Sequence, residues 1–311
     1  MKPCVFIQSN HKQIAGAIVA EHALKRNSRH ADKFDVRIIH HKDYSFFLDR
    51  EGQSYLRDGF YRKWQNNDLQ SFTLTRFMPP ELMGYQGRAV CIDPDVFAVG
   101  DVWELLSLDM QGKAIMATLP KNKRKEKEGM LASSVLLLDC AKLEHWKVED
   151  QFNAMFEGEL DYMDWIALKL DKRETIGILD ASWNHFDTLN AKTKMTHTTH
   201  RRTQPWKSGL PVDFQTPERN RRGHPLIGWL WYMRSRIFGP YAFQGKYKSH
   251  PDKRQEQFFF GLVKECIENG SLTEDMIRQQ MRYNHVRHDA LEVVKKTPDL
   301  NMLMAELGQV A

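Results

Sequence analysis

Two aspartates flank one proline at Asp93-Pro94-Asp95, with the apolar run AVCI before them and VFAV after. Paired carboxylates are hard oxygen donors that can hold Mn2+ or Mg2+ and leave coordination positions open for a diphosphate. In an extended chain, residues i and i+2 point to the same side, and Pro94 removes a backbone donor and stiffens the local path. A D-x-D by itself is more often a turn with capping or solvated acids. The flanking apolar runs favour the metal, because carboxylates set into a core need a cation or hydrogen-bond donors.

A second chemical stretch is WNHFDTLNAKTKMTHTTHRRTQPW, residues 183–206, poor in apolar residues and rich in His, Thr and Arg. Its composition suits a loop lining a polar site. His197 and His200 supply imidazoles, Arg201 and Arg202 positive charge; the competing explanation is solvated surface. Two further stretches stand out. PKNKRKEKEG (120–129) is a mixed-charge run between two strands, read as a solvated loop or as a loop over a ligand site. LIGWLWYMRSRIFGPYAF (226–243) mixes Trp229, Trp231, Phe238 and Tyr241 with Arg234 and Arg236, and suits core helix packing or a membrane interface.

Positioning such groups requires a scaffold, and short apolar runs supply its outline. Strands are expected at 4–8, 35–40, 88–92, 113–119 and 133–139, with a helix carrying Ile14, Ala17, Ile18 and Leu24, and another in CAKLEHWKVEDQFNAMF. Strands alternating with helical stretches predict an α/β fold, a mostly parallel or mixed central sheet covered on both faces. Ligands of such sheets bind beyond the carboxyl ends of the strands, where Asp93 and Asp95 stand. The stretch QPWKSGLPVDFQTPERNRRGHP reads as a long connection. It divides the chain into 1–215, which carries both chemical stretches, and 216–311, a helical region in which Ser271-x-x-Glu274 is a capping box. There is no internal repeat.

The chain has 311 residues, enough for a sizeable core. Its 45 Lys and Arg against 40 Asp and Glu suit an anionic small molecule or surface and fall short of a dedicated nucleic-acid binder. The basic runs KNKRKEKEG and RNRRGH lack the aromatic interleaving that base stacking uses. Cys4, Cys91, Cys140 and Cys266 show no CxxC spacing, which argues against a zinc knuckle or disulfide framework and fits a reducing compartment. MKPCVFIQSN enters a strand without a signal-peptide pattern, and no apolar run approaches a membrane span. The expected location is the cytoplasm, with peripheral contact at the inner face of its membrane as an alternative.

Taken in order, GRAVCIDPDVFAVGDVWELL, SSVLLLDCAKL, SWN and KMTHTTHRRTQPW resemble glycosyltransferase family 8, retaining enzymes of the GT-A fold, over about residues 4–210. The resemblance implies that Asp93, Asp95 and His197 bind a divalent cation, usually Mn2+ with Mg2+ as the alternative, and that one aspartate also reaches the ribose. It implies nucleotide contacts from Gln8 and Asn10 and a sugar-diphosphate contact from Arg76. Ser133 and Ser134 fall in the donor segment, where family members usually carry an Asn and this chain reads Leu131-Ala132-Ser133-Ser134. Gln204 replaces the Lys that commonly precedes Pro-Trp, so Arg201, Arg202 or Lys207 would supply the phosphate contacts, with His200 and Gln204 also among the nucleotide-sugar contacts and Trp206 toward the acceptor. Asp164, and second Asp161, stand where the family places acidic or amide groups around the sugar and acceptor.

The resulting expectation is a UDP-sugar-dependent hexosyltransferase acting on a saccharide, lipid-linked or other acceptor, in polysaccharide or lipopolysaccharide synthesis. The alternative is a catalytically inactive scaffold of the same fold.

Overall fold

The computed structural model describes residues 1–198, 202–214, 233, 237 and 245–308. Cys4–Ser9 (β1) is buried at every position, which demands cover on both faces of the sheet it joins. It pairs in parallel with Asp35–His40 (β2) on one side and Arg88–Ile92 (β5) on the other. Between them in sequence lies a hairpin, Ser54–Arg57 (β3) and Phe60–Lys63 (β4). Val96–Ala98 (β6) follows the paired aspartates. Ile115–Thr118 (β7), Ala132–Asp139 (β8) and Ile176–Ile178 (β9) complete a six-stranded sheet in the order β2-β1-β5-β8-β7-β9.

All five expected strands are present. The sheet is mixed, because β8 runs antiparallel to both β5 and β7. The segment between β7 and β8 contains only the five-residue helix Lys123–Lys127, too little for the crossover that a parallel return needs. A second sheet stacks His185–Phe186 (β10), Met195–His197 (β11) and β6.

The two faces carry separate cores. Helix α1 (Ile14–Arg26) buries Ala17, Val19, Ala20, Ala23 and Leu24 against one face. The helix Lys253–Glu268 packs on α1, adding Phe258, Phe259 and Leu262 to the same cluster, and Glu265 accepts from Arg26 Nε at 2.7 Å. The C-terminal helices therefore share one core with the sheet rather than forming their own. On the other face Trp146, Phe152 and Trp165 cover Phe6, Cys91 and Leu136. The helix Val148–Glu157 ends on Gly158 at φ 81°, a left-handed cap that glycine adopts without a Cβ penalty.

One expected cap moves. The helix Glu274–Arg282 is capped by Thr273, whose Oγ1 accepts from Met276 N at 3.1 Å. The Ser271 hydroxyl is instead engaged with Asn269 and the Cys266 carbonyl. All four cysteines are buried and unpaired. No helix among the described residues is long and apolar enough to cross a membrane. Trp229, Trp231, Arg234, Arg236, Phe238 and Tyr241, together with the boundary at 215, lie outside the described residues.

Candidate functional site

Asp93 and Asp95 leave the carboxyl end of β5 in a turn. Val96 N donates to Asp93 O at 3.1 Å, which closes a four-residue turn with Pro94 at its second position, where a fixed φ is favourable. This turn, rather than the extended alternation expected from sequence, brings the carboxylates to one side. Asp93 N donates to Ser134 O of β8 at 3.0 Å and Thr198 N to Asp95 O at 3.1 Å, so each end is tied to a different sheet. Helix α1 presses on the turn through Gly16, where a Cβ would stand 2.6 Å from Pro94 O.

His197 ends β11, which pairs antiparallel with β6 and sets His197 opposite Val96. One ligand atom each from Asp93, Asp95 and His197 lies within 4.8 Å of the others, and His197 Nε2 is 3.4 Å from Asp95 Oδ1. The other ring nitrogen, Nδ1, lies 2.7 Å from Asn184 Oδ1. Asn184 is itself oriented, its Nδ2 donating to Thr118 Oγ1 and Ser134 Oγ at 2.9 Å each. With Nδ1–H donated to an amide oxygen, Nε2 is the nitrogen turned to the carboxylates, the usual arrangement behind a metal-binding histidine.

The electrostatics agree with a cation-seeking site. Burial pushes the Asp93 carboxyl above its ordinary range, and Asp95 adds to this, while Arg76 opposes it. Burial is the largest single influence on His197 and would lower it, but Asp95, through its charge and hydrogen bond, together with Asp93 and Asp187 outweighs it and holds the imidazole above its ordinary value. Arg76 is buried and donates Nη2 to Asp93 Oδ1 at 2.9 Å, Nε to Thr73 O at 2.9 Å and Nη1 to Ser133 Oγ. Gln8 Nε2 donates to Asp93 Oδ1 at 2.5 Å, and Gln204 Nε2 to Asp95 Oδ2 at 3.1 Å. The amide oxygens of both glutamines are buried without a partner.

A cavity of about 370 Å³ opens on this cluster. Arg76, Ser133, Ser134 and Gln204 line it beside the three candidate ligands. Lys121 and Asn122 reach it from the mixed-charge run, and Leu69, Phe72, Met163 and Ile166 give it apolar walls. The structure thus brings together eight expected residues, Gln8 through its contact with Asp93.

Five expected residues are placed elsewhere. The Asn10 amide donates to Asp68 O, Leu69 O and Ser71 Oγ, stapling the turn after β1 to the loop 68–71. Lys207 is fully buried and donates to Asp213 Oδ2 at 2.6 Å, so it is an ion-pair partner rather than a phosphate ligand. Trp206, 2% exposed, packs on Phe259 at 4.7 Å and on Phe97 at 5.9 Å, which leaves no ring face for an acceptor. Asp161 caps the helix Tyr162–Ile166 by accepting from Met163 N at 2.7 Å, and also accepts from Asp58 N and Gly59 N in the β3–β4 turn. Asp164 pairs with Lys169 at 2.8 Å in solvent. That helix faces the cavity with Met163 and Ile166, so its acids point away. His200 and Arg201 lie outside the described residues.

Asn184 and Gly16 hold positions in the site that residue type does not signal. Asn184 belongs to the SWN triplet, but its support of His197 requires Thr118 and Ser134 beside it. Gly16 gave no signal beyond its place in an amphipathic helix.

No family model matches the chain, and no curated protein matches it. Among solved structures it is similar to the glycosyltransferase GlyE of Streptococcus pneumoniae TIGR4, at 16% identity and a TM-score of 0.44 over 66% of this chain. It covers 56% of GlyE, little more than half that protein's length. It is also similar to the galactosyltransferase LgtC, solved with donor and acceptor sugar analogues, at 12% identity and TM-score 0.45 over 66% of this chain and 89% of LgtC. A third is mouse xyloside xylosyltransferase 1, at 12% identity and TM-score 0.40, covering 63% of this chain and 97% of that one. At these values the likeness extends to no particular residue.

Proposed function

We propose that this chain is a metal-dependent glycosyltransferase of GT-A architecture, related to family 8, that moves a hexose from a UDP-sugar to a saccharide or lipid-linked acceptor. The observation that carries the reading is the Asp93, Asp95 and His197 cluster at the mouth of a polar cavity. Two carboxylates and an imidazole with its far nitrogen committed to Asn184 form an oxygen-rich, borderline donor set that fits Mn2+ or Mg2+. The orphaned amide oxygens of Gln8 and Gln204 are further acceptors beside it.

When bound, such a cation neutralises charge on a departing nucleoside diphosphate. The chain's own residues do the rest. Arg76, held on three sides, opposes the protonation of Asp93 that burial favours and presents positive charge to the cavity without reorganising. Ser133, Ser134 and Gln204 supply polar groups to the lining, and Met163 and Ile166, the latter accepting from the Ser133 hydroxyl through its carbonyl, supply apolar surface that excludes water. Among the described residues no carboxylate other than Asp93 and Asp95 lines the cavity, which favours direct transfer over attack by an enzyme carboxylate. Retention of anomeric configuration enters with the ordered family motifs, not with the cavity.

The test is calorimetric titration of UDP with and without Mn2+. Wild type is expected to bind UDP in a Mn2+-dependent way and Asp95→Asn to lose that dependence. Unchanged binding in the variant would falsify the site. A second reading, a scaffold that binds without turnover, is favoured by the withdrawal of Lys207, Asp161 and Asp164 from the cavity. It predicts Mn2+-dependent UDP binding but no UDP release from any UDP-hexose across a broad acceptor panel.

A further inference from the structure

The mixed-charge run after β7 lines the cavity at three consecutive positions, Pro120, Lys121 and Asn122. Asn122 caps the helix Lys123–Lys127, its Oδ1 accepting from Arg124 N at 2.9 Å. Lys121 therefore stands between a capping residue and a proline of fixed φ, which place its backbone. Its side chain is 64% exposed, and Nζ donates to Asp187 Oδ2 at 3.2 Å. Asp187 is tied to the metal cluster through the main chain, because Asp187 N donates to His197 O at 2.8 Å. The second oxygen of Asp187 is 3.9 Å from His250 Nε2, so the carboxylate keeps a neighbour when the lysine leaves.

Among the described residues, Arg76 and Lys121 are the two Lys or Arg side chains that line the cavity. They differ in freedom. Arg76 is buried, and Nε, Nη1 and Nη2 are engaged by Thr73 O, Ser133 Oγ and Asp93 Oδ1. Lys207 is fully buried on Asp213 and does not reach the cavity. Asp93 and Asp95 already draw on Arg76 and on a divalent cation they would hold, so a diphosphate entering the cavity needs further positive charge. The Lys121–Asp187 pair can release it. An ion pair with so exposed a lysine is worth little, whereas an ammonium donating to a phosphate oxygen makes a charge-assisted hydrogen bond. The long flexible stem of lysine lets the exchange occur without a backbone movement.

We infer that Lys121 is the cation for the terminal phosphate of a bound nucleoside diphosphate, exchanging Asp187 for that phosphate when the ligand enters. The inference rests on the nucleotide-sugar reading of the cavity and adds to it a residue that neither the ordered motifs nor the metal cluster includes.

The experiment compares calorimetric titrations of UDP and UMP, both with saturating Mn2+, into wild type, Lys121→Gln and Lys121→Arg. UMP lacks the terminal phosphate and reports on the rest of the site. Lys121→Gln is expected to bind UDP about tenfold more weakly and UMP as wild type does. Lys121→Arg, which keeps the charge, is expected to retain the preference for UDP. At an exposed position both variants are expected to fold. Unchanged UDP affinity in Lys121→Gln overturns the inference, as does an equal loss for UDP and UMP, which would mark a general disturbance of the wall. The two readings fail separately. Loss of Mn2+-dependent UDP binding in Asp95→Asn with no effect of Lys121→Gln removes Lys121 alone, whereas a wild type that binds no UDP overturns both.

Discussion

At the scale of single residues, the site depends on a side chain that contacts no expected ligand atom. Asn184 fixes the His197 ring by accepting from Nδ1 and is fixed in turn by two hydroxyls. Asn184→Ala would leave the imidazole free to rotate and strand a buried N–H. Mn2+ affinity is expected to fall by about 10–100-fold, the usual cost of losing such a support, with thermal unfolding lowered by about 1–3 kcal/mol of stability. Metal titration followed by the paramagnetic signal of free Mn2+ measures the first effect; an affinity equal to wild type would remove Asn184 from the site. The residues named from sequence divide by chemistry. Asp93, Asp95, His197 and Arg76 satisfy one another across a cavity, whereas Lys207 and Asp161 found nearer partners, Asp213 and the Met163 amide.

At the scale of elements, the position of the aspartate turn rests on its approach to α1. Glycine inside a helix ordinarily costs about 1 kcal/mol relative to alanine, so Gly16→Ala would stabilise an isolated helix. Here the added Cβ would meet Pro94 O at 2.6 Å, and a backbone carbonyl cannot swing aside as a side chain can. The expected outcome is net destabilisation of about 1–3 kcal/mol, as for other overpacked contacts, together with weaker Mn2+-dependent UDP binding. Denaturant unfolding and UDP titration check the two effects; a more stable variant would mean that α1 does not set the turn. The same scale explains what periodicity could reach. The continuous apolar runs of β1, β5 and β8 announce buried strands, and Asp58-Gly59, both at positive φ between SYLR and FYRK, is a hairpin signal. The three-residue strands β6, β9 and β11 are too short for a periodic pattern and form only against their partners.

At the scale of the whole molecule, histidine burial sets the response to acid. His11, His41 and His285 are held at about 4 by burial and by neighbouring positive groups, against an ordinary value of 6.5. The unfolded chain binds their protons first, so stability is full above about pH 6.5 and is lost progressively as pH falls toward 4. The loss is moderated where the rings remain partly exposed. Carboxylates behave differently. Asp252, which Arg254 holds below its ordinary 3.8, loses its contribution only as pH falls below that value. A melting temperature that declines between pH 6.5 and 4 is therefore expected, shallower in His41→Gln. A flat profile over that interval would show that these rings protonate in the folded state.

What the sequence by itself determined was local: which runs are apolar enough to be buried strands, where two acids interrupt them, and which later segment carries the histidines, although that segment, expected as a loop, places His197 on a buried strand. Each depends on residue type and on spacing within one element, which hydrophobic burial and backbone periodicity settle without reference to the rest of the chain. Only the tertiary structure decided that β8 reverses, that Asn184 stands behind His197, that Trp206 enters the core between Phe97 and Phe259, and that Asp161 and Asp164 turn from the cavity. Those outcomes are choices among partners brought together by folding. A lysine, tryptophan or aspartate has the same type in a cavity wall as in a buried pair, and the free energy that separates the two comes from neighbours distant in sequence.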